Sequence, residues 1–340
     1  MESLNFADHL LPAPADSGYR ERDYWIWCGS VIQGADGRYH MFASRISKEF
    51  HFSPHWVTNS EVVRAVSDTP EGPYEFADRV LPPRDSSYWD GQMTHNPTIH
   101  YHDGTYYLYY TGTTYDEPRP TGERPLEKGS PLRLKARAGQ RVGVATAPSV
   151  DGPWTRSDEP LLEPREGTWD ALMTTNPAPC ILEDGRCLLA YKAVAYQGDK
   201  LRYGVSWGDN PMGPFTGRGK EPVLKFTPDV SIEDAYVWRY AAGFAMIFND
   251  LEGHVTGEDH AGGLALSDDG TNWRIAEHPK AYSRTIRWED GRTTRQASFE
   301  RPQLLIQDGR PTHLFAATAD GPGGFSRASN TWNMVVPLAF

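Results

Sequence analysis

Short apolar runs of strand length recur along the chain, separated by turns built from Asp, Gly and Pro. The stretch WDGQMTHNPTIHYHDGTYYLYYTG (89–112) returns as WDALMTTNPAPCILEDGRCLLAYKA (169–193). Related pairs of runs lie at 27–44, 233–250 and 300–318. Four of the five carry an Asp-Gly pair between the two runs, a strong hairpin signal because a type I′ turn needs positive φ at both central residues. A second hairpin follows each of the first four, at 61–76, 141–156, 202–217 and 262–276. Each unit therefore reads as four antiparallel strands.

Spacing sets the architecture. Cys28, Asn96, Asn176, Asp234 and Arg301 hold equivalent positions, spaced 68, 80, 58 and 67 residues apart. The residues after Arg301 and those before Cys28 together make about one more unit. The N-terminal segment can thus complete the last sheet and close a ring, which removes sheet edges. The prediction is an all-β fold: a five-bladed β-propeller, one domain over 1–340, four antiparallel strands per blade, closed by the N-terminal segment. A β-sandwich or an open β-helical array would leave that closing length unexplained.

Composition narrows the class. The chain has 340 residues with 32 Gly, 27 Pro, 11 Trp and 17 Tyr, which excludes a helical bundle or coiled coil. Mean hydropathy is −0.60, and no apolar run approaches a membrane span. The net charge of −11 shows no basic stripe for nucleic acid. Three cysteines, Cys28, Cys180 and Cys187, are too few for a disulfide framework. The first 25 residues lack a basic stretch followed by an apolar one, so the default expectation is a cytoplasmic protein without membrane or nucleic-acid partners.

Strand parity places function. Short turns lie on one face; the long segments 47–60, 77–95, 114–140, 250–261 and 283–300 lie on the other, where each innermost strand begins. Those starts are Trp27-Cys28, His95-Asn96, Thr175-Asn176, Glu233-Asp234 and Glu300-Arg301. Glu233, Asp234 and Glu300 are the acids nearest the axis. Asp90 and Asp170, each after a Trp, sit on matching loops and serve equally well as turn residues. Paired carboxylates beside aromatic platforms are the equipment of glycoside cleavage. Candidate catalytic residues are Glu233, Glu300, Asp234, Asp170 and Asp90. Candidate sugar-binding residues are His95, Asn96, Asn176, Arg301, Trp27, Trp89 and Trp169. His51 and His55 read as loop residues, with Pro54 between them, rather than as a metal pair, and no metal or cofactor is expected.

The innermost-strand acids, the DGTYYLYYTG hairpin and the APSVDGPWTRS turn resemble the five-bladed glycoside hydrolases of families 43, 32, 62 and 117. The resemblance implies a glycosidase releasing a terminal sugar, such as an arabinofuranoside, from an oligo- or polysaccharide, with carbohydrate as its partner. It gives Glu233, in SIEDAYVW, the general acid role, and it allows a structural channel ion such as calcium. The sequence departs from the family where Cys28-Gly29-Ser30 replaces an Asp-Pro-Ser start, and where Asn96 and Asn176 replace Asp. Those departures leave the base to Asp90, Asp170, Asp234 or Glu300. The alternatives are a carbohydrate-binding propeller without catalysis and a protein-interaction platform.

Overall fold

A computed structural model describes residues 4–127, 129–224, 230–321, 324 and 327–340. Blade 1 contains β1 (Tyr24–Gln33), β2 (Tyr39–Ser47), β3 (Glu61–Ser67) and β4 (Glu75–Leu81), with α1 (Phe52–Asn59) between its second and third strands. Blade 2 contains β5 (Met93–His102), β6 (Thr105–Thr113), β7 (Arg141–Ala147) and β8 (Thr155–Arg156), with α2 (Pro131–Ala138) in the corresponding loop. Blade 3 contains β9 (Met173–Ile181), β10 (Cys187–Val194), β11 (Arg202–Gly208) and β12 (Phe215–Thr216). Blade 4 contains β13 (Ile232–Tyr240), β14 (Gly243–Asp250), β15 (Ala261–Ser267) and β16 (Trp273–Tyr282). A small hairpin, β17 (Thr285–Arg287) and β18 (Thr293–Arg295), precedes blade 5, which contains β19 (Ser298–Gln307), β20 (Arg310–Ala319) and β21 (Thr331–Pro337). Within each blade, sequence neighbours pair antiparallel.

The fourth position of blade 5 is filled from the other end of the chain. Tyr19 bridges Asn333 and Leu10 bridges Leu338, both antiparallel. The same segment ties on to the outer turn of blade 1, where Tyr74 N–H donates to Gly18 O at 2.9 Å. The predicted closure is present, made by isolated bridges rather than a continuous strand. Apolar clusters lie between neighbouring blades: Phe42 and Val62 of blade 1, for example, pack with Leu108 and Ala145 of blade 2.

One feature recurs in every blade. The innermost strand places two residues opposite one on its partner, at Cys28-Gly29, Asn96-Pro97, Asn176-Pro177, Asp234-Ala235 and Arg301-Pro302. The first residue of each pair is left-handed, with φ of 55°, 53°, 48°, 59° and 58°. A bulge led by a left-handed residue bends the strand and re-aims its side chain. Asn and Asp tolerate this conformation better than other non-glycine residues, which accounts for three of the five.

The segment carrying His51 and His55 is helical rather than a loop. Helix α1 buries Phe52, His55 and Val57, and both nitrogens of His55 are engaged. Nδ1 lies 3.0 Å from His51 O, and Nε2 accepts from Leu126 N–H at 2.8 Å.

Candidate active site

The five left-handed residues meet at the axis in a buried relay. The Cys28 thiol donates to Asn96 Oδ1 (2.8 Å), Asn96 Nδ2 to Asn176 Oδ1 (2.7 Å), and Asn176 Nδ2 to Asp234 Oδ1 (2.6 Å). Arg301 Nη1 lies 3.7 Å from the same Asp234 oxygen, and its Nη2 donates to Asn96 O at 3.1 Å. Burial pushes the Cys28 thiol well above its ordinary range, so it acts as a donor here. The backbone is tied in as well: Asn96 N–H donates to Ser44 Oγ and Asn176 N–H to Thr111 Oγ1, each at 3.1 Å and each across a blade boundary.

One residue nearer the loaded face lies a second tier: Trp27, His95, Thr175, Glu233 and Glu300. Trp27 packs on Phe52, ring centres 5.0 Å apart. His95 hydrogen-bonds Ser60 Oγ at 2.7 Å; burial, with Arg301 and Lys192 adding to it, holds its ring neutral down to about pH 3. Thr175 donates to Asn176 Oδ1 at 2.9 Å. Glu233 accepts from Lys192 Nζ at 2.7 Å, and Glu300 lies 3.4 Å from His260 Nδ1. The two tiers bring Glu233, Asp234 and Glu300 together, with one carboxylate oxygen from each within 4.8 Å of the others.

These acids are electrostatically unlike. Burial works to raise the Glu233 carboxyl, but Lys192, then Arg137 and His260, hold it below the usual range and keep it ionised. Asp234 is pushed up to about 7 by burial and by Glu233, with Arg301 and Lys192 opposing. His260 is raised by its contact with Glu300, against the effect of burial. Glu233 and His260 are the accessible members, their side chains 20% and 35% exposed. Neighbouring groups driven apart in protonation are the usual means by which one site holds both a base and an acid.

The remaining sequence candidates lie elsewhere. Asp90 is fully buried and receives Arg84 Nε (2.6 Å), Tyr110 O–H (2.8 Å) and Arg156 Nη1 (3.2 Å). Asp170 repeats this with Arg165 Nε (3.0 Å), Tyr191 O–H (2.9 Å) and Arg218 Nη1 (3.4 Å). Trp89 stacks on Tyr110 and Trp169 on Tyr191, ring centres 5.5 and 5.8 Å apart, against the inter-blade cores. These four residues form two copies of one packing unit away from the acid cluster. Asn96, Asn176 and Arg301 belong to the axial relay.

Of the cations around the cluster, Arg301 was among the sequence candidates; Lys192 and His260 were not. Lys192 is a lone charge inside the apolar strand LLAYKAV, a readable signal; His260 stands out only once the fold sets it over Glu300. A divalent cation does not suit the three carboxylates. Lys192 and Arg301 already supply positive charge at Glu233 and Asp234.

Comparison with solved structures shows that this fold is shared. A family 117 glycoside hydrolase from Zobellia galactanivorans is 17% identical over 97% of this chain and 89% of its own, with a TM-score of 0.65. An endo-arabinase from Bacteroides thetaiotaomicron is 12% identical over 93% and 95%, TM-score 0.61. An alpha-L-arabinofuranosidase from Lactobacillus brevis is 15% identical over 99% and 95%, TM-score 0.59. No protein-family model and no curated protein matches the sequence.

Proposed function

We propose that this five-bladed propeller is a glycoside hydrolase that removes a terminal sugar at the Glu233–Asp234–Glu300 cluster. The observation that carries the reading is the convergence of these acids at the starts of adjacent innermost strands, one held ionised and one set against a protonatable histidine. The fold's occurrence among glycosidases supports it. The sequence resemblance gave Glu233 the acid role, but its ion pair with Lys192 favours the ionised one. In this reading Glu233 activates water or attacks the anomeric carbon. His260, charged through Glu300, gives its proton to the departing glycosidic oxygen, and water completes the hydrolysis.

Reducing-sugar release from a broad panel of oligosaccharides tests the reading. Glu233→Gln is expected to lower turnover about 10²–10⁴-fold with the circular dichroism spectrum unchanged. The wild-type profile is expected to be bell-shaped, its acid limb below the ordinary Glu range of about 4.3 and its basic limb above the ordinary His range of about 6.5. His260→Gln is expected to remove the basic limb. Unchanged turnover in Glu233→Gln would remove that residue from the chemistry. Binding without turnover by the wild type would instead favour a carbohydrate-binding propeller, the reading suggested by the absence of an acid at Cys28, Asn96 and Asn176.

A further inference from the structure

The loop between β6 and β7 carries more charge than packing requires. Segment 114–140 holds six basic and four acidic residues in a chain of net charge −11. Its helix α2 is fixed in place. Ser130 caps it through Leu132 N–H, and Ala136 is buried with Val57, Met93 and Leu126. Gln197 Nε2, from the loop after β10, donates to Leu134 O at 3.0 Å, and Thr113 Oγ1 donates to Ala136 O at 2.9 Å. Helix α2 therefore spans the loaded face from blade 2 to the strand that supplies Lys192.

Arg133 and Arg137 stand one turn apart on this helix, both half-buried. Neither side chain makes a hydrogen bond or ion pair to a described residue. They are close enough to repel, and Glu233 is the acid whose field Arg137 feels, yet the Glu233 carboxylate is already paired with Lys192. Helix electrostatics do not account for the arrangement. A cation near the C-terminus complements the macrodipole, but Arg133 lies in the first turn, where a cation opposes it. Like charges four apart add a further cost. By contrast Lys135, on the same helix, is paired with Glu117.

We propose that Arg133 and Arg137 recognise an anionic substituent, a carboxylate or a sulfate, on the glycan processed beside them; this rests on the reading of the acid cluster given above. Two guanidinium forks one turn apart match the oxygens of such a group, and an incoming anion relieves the repulsion between them. The substrate class is then an acidic glycan, held so that its glycosidic bond reaches Glu233 and His260.

The test is an array of neutral, uronic-acid-containing and sulfated oligosaccharides probed with Glu233→Gln protein. The same protein carrying Arg133→Gln and Arg137→Gln follows, together with Arg137→Lys. Retention of acidic members, weakened about tenfold or more in the double variant and partly restored by lysine, supports the proposal. The retained class then tells carboxylate from sulfate. Acidic glycans that bind the double variant equally well would overturn it. So would neutral glycans that are retained and cleaved by wild-type protein without dependence on either arginine, an outcome that leaves the hydrolase reading standing. Retention of no glycan by any form, with no turnover by the wild type, would overturn both.

Discussion

Asp234 holds the axial relay in electrical balance. It accepts from Asn176 and faces Arg301, a guanidinium only 1% exposed. Removing one member of a buried pair leaves the other without compensation. Asp234→Ala is therefore expected to cost about 3 kcal/mol, and Asp234→Asn, which keeps the hydrogen-bonding shape without the charge, distinctly less. Urea unfolding of the two variants beside the wild type checks the order; an Asp234→Asn midpoint equal to the wild type's would mean that Arg301 gains nothing from the carboxylate. The axial positions were legible in the sequence because Asn and Asp suit a left-handed bulge. Their relay was not, since Cys28 and Arg301 give no local hint that they complete it. Glu233, Asp234 and Glu300 were legible as acids near the axis, but the contrast between Glu233, held ionised chiefly by Lys192 brought in from β10, and Asp234, raised by burial and by Glu233 itself, was not.

Blades 2 and 3 share a hairpin packing unit built on Trp-Asp. In blade 2 the Trp89 indole lies over Gly143 of β7, where an added Cβ would sit 2.2 Å from the ring. Gly204 of β11 stands in the same relation to Trp169, at 2.6 Å. Gly143→Ala is expected to displace Trp89 from Tyr110 and destabilise the protein by about 1–3 kcal/mol. A thermal midpoint equal to that of the wild type would show that the indole shifts freely. The repeated Trp-Asp-Asn-Pro text disclosed this unit without its purpose. Asp90 and Asp170 resemble rim acids until their arginines, from well-separated positions such as Arg156 and Arg218, are seen around them. Helices α1 and α2 were not legible because each occurs once and owes its place to tertiary contacts, such as that of Leu126 with His55.

For the whole molecule, buried imidazoles set the acid limit. Burial is the leading cause that holds His95 neutral to about 3 and His100 to about 4, and it also lowers His40, His55 and His313. In the unfolded chain these rings protonate near 6.5. Between the folded and unfolded values the unfolded state binds more protons, so the stability these rings contribute is full above about pH 6.5 and declines as pH falls. At pH 5 His95 alone accounts for about 2 kcal/mol. Asp234, raised to about 7, and His260, also raised, gain stability as pH falls and offset part of this loss. Melting temperatures are therefore expected to drop from pH 7 to pH 5 by less than the rings alone dictate, with a shallower slope in His100→Asn. Equal slopes in the wild type and His100→Asn would contradict the burial of that ring.

The hydrogen-bonded side chains on the axis, from Cys28 round to Arg301, make the central well a cul-de-sac. Among the described residues, that relay stands between the carboxylates and the hollow of about 800 Å3 at the opposite mouth, lined by Ile32, Tyr101 and Trp238. Whatever enters above Glu233 must back out the way it came. For the hydrolase proposed above, a freed sugar would then obstruct the next arrival, and a polymer would offer only its tip.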